Sequence, residues 1–232
     1  MQQARNQSLR RMVMIALFCA MSYVVMMVIH IKVGFLTMDV KDAVITLCGL
    51  YFGPLAALFI SVAVPLLELF TVSDTGIYGL IMNILGSAAF SLTVSLFYKW
   101  RKTLFGAVMG LLSGVLLMTA VMVLANLLIT PYFMGTTVAT VRGMIPTLLL
   151  PFNLLKGVIN AGAILLLYKP LSRALRKAGM LPRREGSGGA KKPCPRTRLT
   201  GIAVTLVALL LIAGAIALIF TVLGGKIDFG KG

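Results

Sequence analysis

The sequence predicts an all-α membrane protein, a bundle of six transmembrane helices followed by an additional C-terminal transmembrane helix. Three observations carry this expectation. Hydrophobic residues make up 59% of the 232-residue chain and charged residues only 12%, against roughly 25% charge in an average soluble domain. The apolar residues gather at 12–31, 42–53, 55–71, 76–98, 104–130, 144–168 and 201–224, most of these runs being close to the ~20 residues that a hydrocarbon crossing needs. The basic residues fall in short stretches flanking those runs, as topology determinants do. That distribution accounts for the net charge of +16 with a lipid bilayer as the surroundings and no nucleic-acid partner.

Each element follows in order. The run at 12–31 comes after Arg5, Arg10 and Arg11, as a signal peptide would, but it is long and lacks a small-residue cleavage site, so it reads as a retained span. Residues 42–71 form either one long helix or two short ones hinged at Gly53-Pro54, a pair that punctuates helices. Charge favours two. With the N-terminus cytoplasmic, four crossings then bring Lys99, Arg101 and Lys102 to the cytoplasmic side, where one long helix would leave them outside. The runs at 104–130 and 144–168 return Lys169, Arg173, Arg176 and Lys177 to the same side. Residues 1–178 are thus expected to form the core, with both of its ends inside.

Residues 179–200 change character. Gly186-Ser187-Gly188-Gly189, Pro193, Pro195 and the basic Arg183, Arg184, Lys191, Lys192, Arg196 and Arg198 read as a flexible, solvated cytoplasmic linker. Residues 201–224 are almost wholly apolar and read as a plain seventh anchor, leaving the short tail 225–232 outside. Cys19, Cys48 and Cys194 are scattered and indicate neither a disulfide framework nor a metal site. No internal repeat of the inverted-repeat transporter kind is present.

Function is expected on a polar face within an apolar helix. Asn153, Lys156 and Asn160 are spaced by three and then four residues, which stacks them on one side of a helix. A lysine at such depth costs roughly 2.5–3.5 kcal/mol on insertion scales and turns toward protein, water or ligand. The topology places Glu68, Asn83, Asn126 and Asn153 toward the outer leaflet, whereas the inner halves of the first, third and fifth helices hold almost nothing ionisable. An outward-facing pocket results, covered by the outer loops Lys32 to Asp42, Thr71 to Gly76 and Pro131 to Arg142, the last with Tyr132 and Phe133. Structural alternatives stand beside this reading: Asp39, Lys41, Asp42 and Asp74 as ordinary solvated charges, Glu68 and Lys156 as an ion pair between the third and sixth helices, and the asparagines as interhelical hydrogen-bonding groups.

The stretches Asp39-Val40-Lys41-Asp42, Gly53-Pro54-Leu55-Ala56, Ser73-Asp74-Thr75-Gly76 with Gly79-Leu80-Ile81-Met82-Asn83, Asn126 with Thr130-Pro131-Tyr132, and Leu150 to Gly157 occur in that order along about residues 8–178. In sequence and spacing they resemble the riboflavin-binding substrate-specificity (S) subunits of energy-coupling factor (ECF) vitamin importers. The resemblance implies a six-helix S-component bundle and riboflavin as a transported ligand, with no resident cofactor. It also implies partners: a membrane scaffold (T) subunit and two cytoplasmic ATPase (A) subunits. By the same resemblance Asn126, Asn153 and Lys156 are ligand contacts, with Glu68, Asn83, Asp39 and the backbone of Leu36, Thr37 and Met38 contributing. Amides suit a flavin, whose flat ring wants apolar walls while its imide, carbonyl and ribityl groups need donors and acceptors in a dry pocket.

Ala16 and Ala20 in the first helix form a small-xxx-small face that permits close backbone approach, and the resemblance assigns that face to docking on the scaffold. No phosphate-binding Gly-x-x-x-x-Gly-Lys-Ser/Thr loop occurs, so ATP hydrolysis by that route falls to partners. An intramembrane enzyme is disfavoured, because the single histidine, His30, sits at a helix end and no Gly-x-Ser-x-Gly elbow is present. No catalytic residue is therefore assigned. An autonomous ion-coupled transporter needs ionisable groups reaching both leaflets, and only the outer half has them.

Overall fold

A computed structural model of the chain describes residues 2–179 and, beyond them, 206, 208–210, 212–215, 217–218, 221 and 226–227. Nearly all of the expected linker 179–200, with Cys194, and parts of the expected anchor 201–224 and tail 225–232 lie outside the described residues. The elements run α1 (Gln2–Val28), β1 (His30–Val33), β2 (Leu36–Asp39), α2 (Lys41–Phe52), α3 (Pro54–Thr71), α4 (Gly76–Trp100), α5 (Leu104–Met134), α6 (Val138–Met144), a π-helical turn (Ile145–Leu149), α7 (Leu150–Lys177) and β3 (Lys226–Ile227).

Among the described residues, five helical stretches are long and apolar enough to cross a membrane. The short one is α2: its 12 residues span about 18 Å, less than a hydrocarbon core. It occupies the middle of the bundle, packed by α1, α3, α4 and α7, and every residue from Lys41 to Gly49 is buried. Its last three residues, Leu50, Tyr51 and Phe52, are half-buried. The break to α3 falls at Gly53, whose φ of 97° suits glycine, and Pro54 opens α3 at its first turn, where a missing N–H costs nothing.

The long helices turn apolar side chains outward, among them Phe59 and Phe70 on α3, Leu116 and Leu128 on α5 and Leu167 on α7. An outward apolar surface would be a liability in water and is what a lipid-facing bundle requires. The interior holds Phe18, Ile45, Leu47, Ile60, Phe90, Val94 and Met118. Gly157 on α7 lies against Val115 of α5 so closely that a β-carbon there would sit 2.9 Å from a Val115 methyl.

The stretch from Lys32 to Asp42, expected as an outer covering loop, is instead most of a β-hairpin that runs from His30 to Asp39 and then the start of α2, with β1 and β2 antiparallel and His30 opposite Asp39, Val33 opposite Leu36. The alternation of Val33, Leu36 and Met38 buries one face of the ribbon against Val141, Leu149, Phe152 and Ile159. Two strands alone are marginal in water, and this packing ties the ribbon to α6 and α7. A third strand, β3, pairs on the other edge of β1, Ile31 opposite Ile227 and Lys32 opposite Lys226.

The end of the molecule away from the hairpin is closed by aromatic rings and hydroxyls. The Tyr51 and Tyr168 rings stack with centroids 5.7 Å apart, the Tyr51 hydroxyl donates to the Tyr168 carbonyl at 2.9 Å, and the Tyr98 and Tyr168 hydroxyls lie 2.8 Å apart. Arg11 donates to the Phe52 carbonyl at 2.6 Å, placing a cation at the C-terminus of α2, where the helix dipole favours it.

Candidate ligand-binding site

A cavity of about 300 Å³ lies beneath the hairpin, among α3, α4, α5 and α7. Two stripes at helical spacing build most of its wall. On α4 these are Tyr78, Gly79, Met82, Asn83, Gly86 and Ser87, with Thr75 just before its first turn, and on α5 they are Met118, Met122, Asn126, Ile129, Thr130 and Phe133. Steps of three and four keep each set on one face. The hairpin adds Phe35, Leu36 and Thr37 as a roof, and α7 adds Phe152, Asn153 and Lys156. The result is an apolar slot of methionine and aromatic side chains with a few placed polar groups, the usual make-up of a small-molecule site.

Of the expected contacts, Leu36, Thr37, Glu68, Asn83, Asn126, Asn153 and Lys156 line this cavity. Met38 and Asp39 do not: Met38 packs into the apolar cluster behind the hairpin, and Asp39 lies behind the wall, holding Lys156. Asn160, on the same polar face as Asn153 and Lys156, also stays out of the cavity. Its side-chain N–H groups donate to the Asp39 and Lys156 carbonyls, both at 3.0 Å, and its oxygen accepts from the Ala43 amide at 2.8 Å. That amide lies in the first turn of α2 and is shared with the Val40 carbonyl at 3.2 Å, so Asn160 stitches α7 to the hairpin and to α2.

The two wall asparagines are held alike. The Asn126 amide donates to the Met122 carbonyl at 2.7 Å and accepts from Thr130 at 2.8 Å. The Asn153 amide donates to the Leu149 carbonyl at 2.7 Å. Each amide group has two N–H donors, so one donor fixes the rotamer and one remains for the cavity. Leu149 closes the π-helical turn, which Pro146 opens, and Pro151 stands in the first turn of α7, where a missing N–H costs nothing.

Charges are paired differently from the sequence reading. Glu68 and Lys156 do not bond each other: Glu68 accepts from Lys41 at 2.6 Å, and Lys156 donates to Asp39 at 3.0 Å and to the Thr37 carbonyl at 3.3 Å. Lys41 also lies 3.6 Å from Asp39, and both side chains are no more than 1% exposed. Asp42 is buried as well and accepts from Ser87. These three belong to the fold and not to solvent, whereas Asp74, 74% exposed, is the solvated charge, paired with Lys32 at 2.8 Å across the mouth. Burial would raise the Asp39 carboxyl, but the Lys156 and Lys41 ammoniums outweigh it and hold it below the usual carboxylate range. The arrangement straps the hairpin to α7 and, through Lys41, to the Glu68 carboxylate in the wall.

Sequence reasoning missed Lys41 as part of the site, along with Ser87, Tyr78 and the methionine wall, whereas Phe133, named with the outer loops, does line the cavity. Ser87 had a signal, lying four residues beyond Asn83 on one face of α4. Lys41 had none beyond its place in the motif Asp39 to Asp42, because a buried and a solvated lysine read the same in a sequence. Among the described residues, no group of three or more His, Cys, Asp or Glu side chains is placed to hold a metal ion.

Comparison with known proteins agrees with this architecture. The chain is similar to the riboflavin transporter RibU of Staphylococcus aureus (strain TCH60), 27% identical over 181 residues that cover 74% of this chain and 95% of that protein. It superposes with a TM-score of 0.63 and 26% identity on a solved structure described as "Structure and mechanism of the S component of a bacterial ECF transporter", covering 73% of this chain and 99% of that one. The family model "ECF transporter, substrate-specific component" matches residues 10–168, a span that runs from Arg10 in α1 to Tyr168 in α7 and holds the hairpin and the whole cavity wall. This multi-pass membrane protein therefore belongs to the substrate-specific components of ECF transporters.

Proposed function

We propose that this chain binds riboflavin in the cavity under the hairpin and serves as the subunit that selects it for ATP-driven uptake. The observation that carries the reading is the slot itself, apolar on its broad walls and edged by Asn83, Asn126, Asn153, Glu68 and Lys156. A tricyclic ring fits the walls, and its carbonyls, imide and hydroxyls meet the amides, the carboxylate and the remaining ammonium proton. The riboflavin transporter similar to this chain supports the same cargo. In this assignment Asn126, Asn153 and Lys156 donate, Glu68 accepts, and Leu36 to Met38 with Asp39 form the closing lid.

The subunits of this family carry out transport, and ATP hydrolysis belongs to their partners. For this chain we assign a membrane scaffold subunit and two cytoplasmic ATPase subunits, with the whole binding subunit reorienting to present its cargo inward. Ala16 and Ala20 are exposed on α1, which suits the docking face assigned to them. The orientation that follows from the basic residues puts the N-terminus in the cytoplasm and gives residues 1–178 six crossings. Residues 179–200 are then a cytoplasmic linker, 201–224 a further membrane helix, and 225–232 an outer tail.

Protein purified in detergent without added ligand is expected to be yellow and fluorescent, with riboflavin as the small molecule seen by mass spectrometry. Asn153→Leu is expected to weaken flavin affinity tenfold or more, since a lost buried hydrogen bond costs about 1–3 kcal/mol. Unchanged affinity in that variant, or a colourless parent that takes up no flavin, refutes the site. Ala16→Trp is expected to leave flavin affinity intact while abolishing co-purification with the scaffold; recovery of the full complex refutes the docking face.

A further inference from the structure

The C-terminal segment has no counterpart in a six-helix core, yet it reaches the lid. Its described helical residues put Ala208, Ile212 and Ala215 on one face, by steps of four and three. Ala208 and Ala215 are buried, while Leu206, Leu209, Leu210 and Leu218 face outward. The seat is Gly162 of α7: a β-carbon there would lie 2.7 Å from Ile212 and 3.3 Å from the Ala208 carbonyl, so only glycine lets the two helices approach this closely. Higher up, Ala215 joins the apolar cluster that backs the hairpin, with Val33, Leu36 and Met38. Beyond it, β3 pairs with β1, Ile31 opposite Ile227 and Lys32 opposite Lys226.

From these contacts we propose that the C-terminal segment is a latch for the lid, holding the hairpin shut over the cavity and slowing exchange of its contents. The physical argument has two parts. An isolated two-stranded ribbon is marginal, and a third strand is the least addition that steadies one; β3 supplies it by pairing along the outer edge of β1, which also covers an edge that would otherwise be open. The strand is itself anchored, because the helical residues before it are seated on α7. Opening the hairpin must then break the β1–β3 pairing or carry the seated segment along. The latch bears on β1, whereas Lys156 and Asp39 hold β2, so the two fastenings grip opposite strands of one ribbon.

The release arm of the test rests on the cargo reading above, and the exchange arm does not. In the full-length protein, Lys226→Pro removes the backbone N–H of β3 that faces β1: with a two-residue turn at Gly34-Phe35, Ile31 spends its N–H and C=O on Met38 of β2, and Lys32, opposite Lys226, is the residue whose polar groups face β3. Hydrogen–deuterium exchange of the β1 amides in the ligand-free protein is expected to quicken about tenfold, in line with the loss of one or two backbone hydrogen bonds. Flavin release, followed by fluorescence, is expected to quicken by a similar factor. Gly162→Leu, which unseats the helical part, is expected to reproduce both effects. Exchange of β1 within twofold of the parent in Lys226→Pro overturns the latch, as does faster exchange with flavin release unchanged. Should the parent bind no flavin, the cargo reading fails and the exchange measurement alone decides the latch.

Discussion

The two ends of this bundle are closed by different chemistry. At the hairpin end, Asp39, Lys41, Glu68 and Lys156 form a chain of buried or nearly buried ion pairs around a cavity. At the opposite end, stacked Tyr51 and Tyr168, the Tyr98 hydroxyl and Ser172 make a neutral plug with no cavity described among them. Charges in a low-dielectric interior are costly unless each has its partner, so an end built of them is sensitive to any change that removes one. Aromatic rings and hydroxyls bring their own packing and lose little when one bond goes. The difference teaches which end is made to respond: the ligand has something to compete for only where Lys156 and Glu68 each keep a free hydrogen-bonding site beside the cavity.

Breaking the charged end is therefore expected to have the largest effect. Lys41→Met leaves Glu68 without its cation and Asp39 with Lys156 alone, and removing one partner of such a pair costs about 3–5 kcal/mol. Thermal unfolding in detergent is expected to show a large loss of stability, and a midpoint unchanged from the parent would mean that the pair is solvated in the membrane. Acid is the next probe. Because the Asp39 carboxyl is held below its usual value, its contribution to the closed hairpin is present above the unfolded-state pKa of about 3.9 and is lost only as pH falls through the lower folded-state value. Flavin release is thus expected to stay flat from pH 8 to pH 5 and to quicken only in stronger acid; an acceleration centred between pH 6 and pH 7 would assign the control to another group.

The neutral end is expected to yield least. Tyr168→Phe removes the hydroxyl bond to Tyr98 and keeps the stacked ring, so the loss is that of an ordinary hydrogen bond, about 0.5–1.5 kcal/mol. Flavin affinity is expected to stay within twofold of the parent. A tenfold loss of affinity from this position would show that the two ends are coupled through α7.

Much of this was legible in the sequence because membranes impose a few strong rules. Length and apolarity mark spans, and basic residues mark a side, since a misplaced charge costs several kcal/mol in hydrocarbon. The break at Gly53-Pro54 was legible for a local reason, a φ that only glycine adopts freely. Asn126, Asn153, Lys156 and Glu68 stood out because polar groups at membrane depth are costly and turn inward, and all four do line the cavity.

What the sequence could not determine was who pairs with whom. Asn160 shares a helix face with Lys156, yet it is spent on the amide of Ala43 and the carbonyl of Asp39. Glu68 is bound by Lys41, a residue that reads like any loop lysine until the hairpin folds and buries it. The arrival of Ile227 beside Ile31 joins residues nearly two hundred positions apart. Helical periodicity orders neighbours three and four residues away; partners at such separations are chosen only when the helices pack and every buried charge must find its opposite.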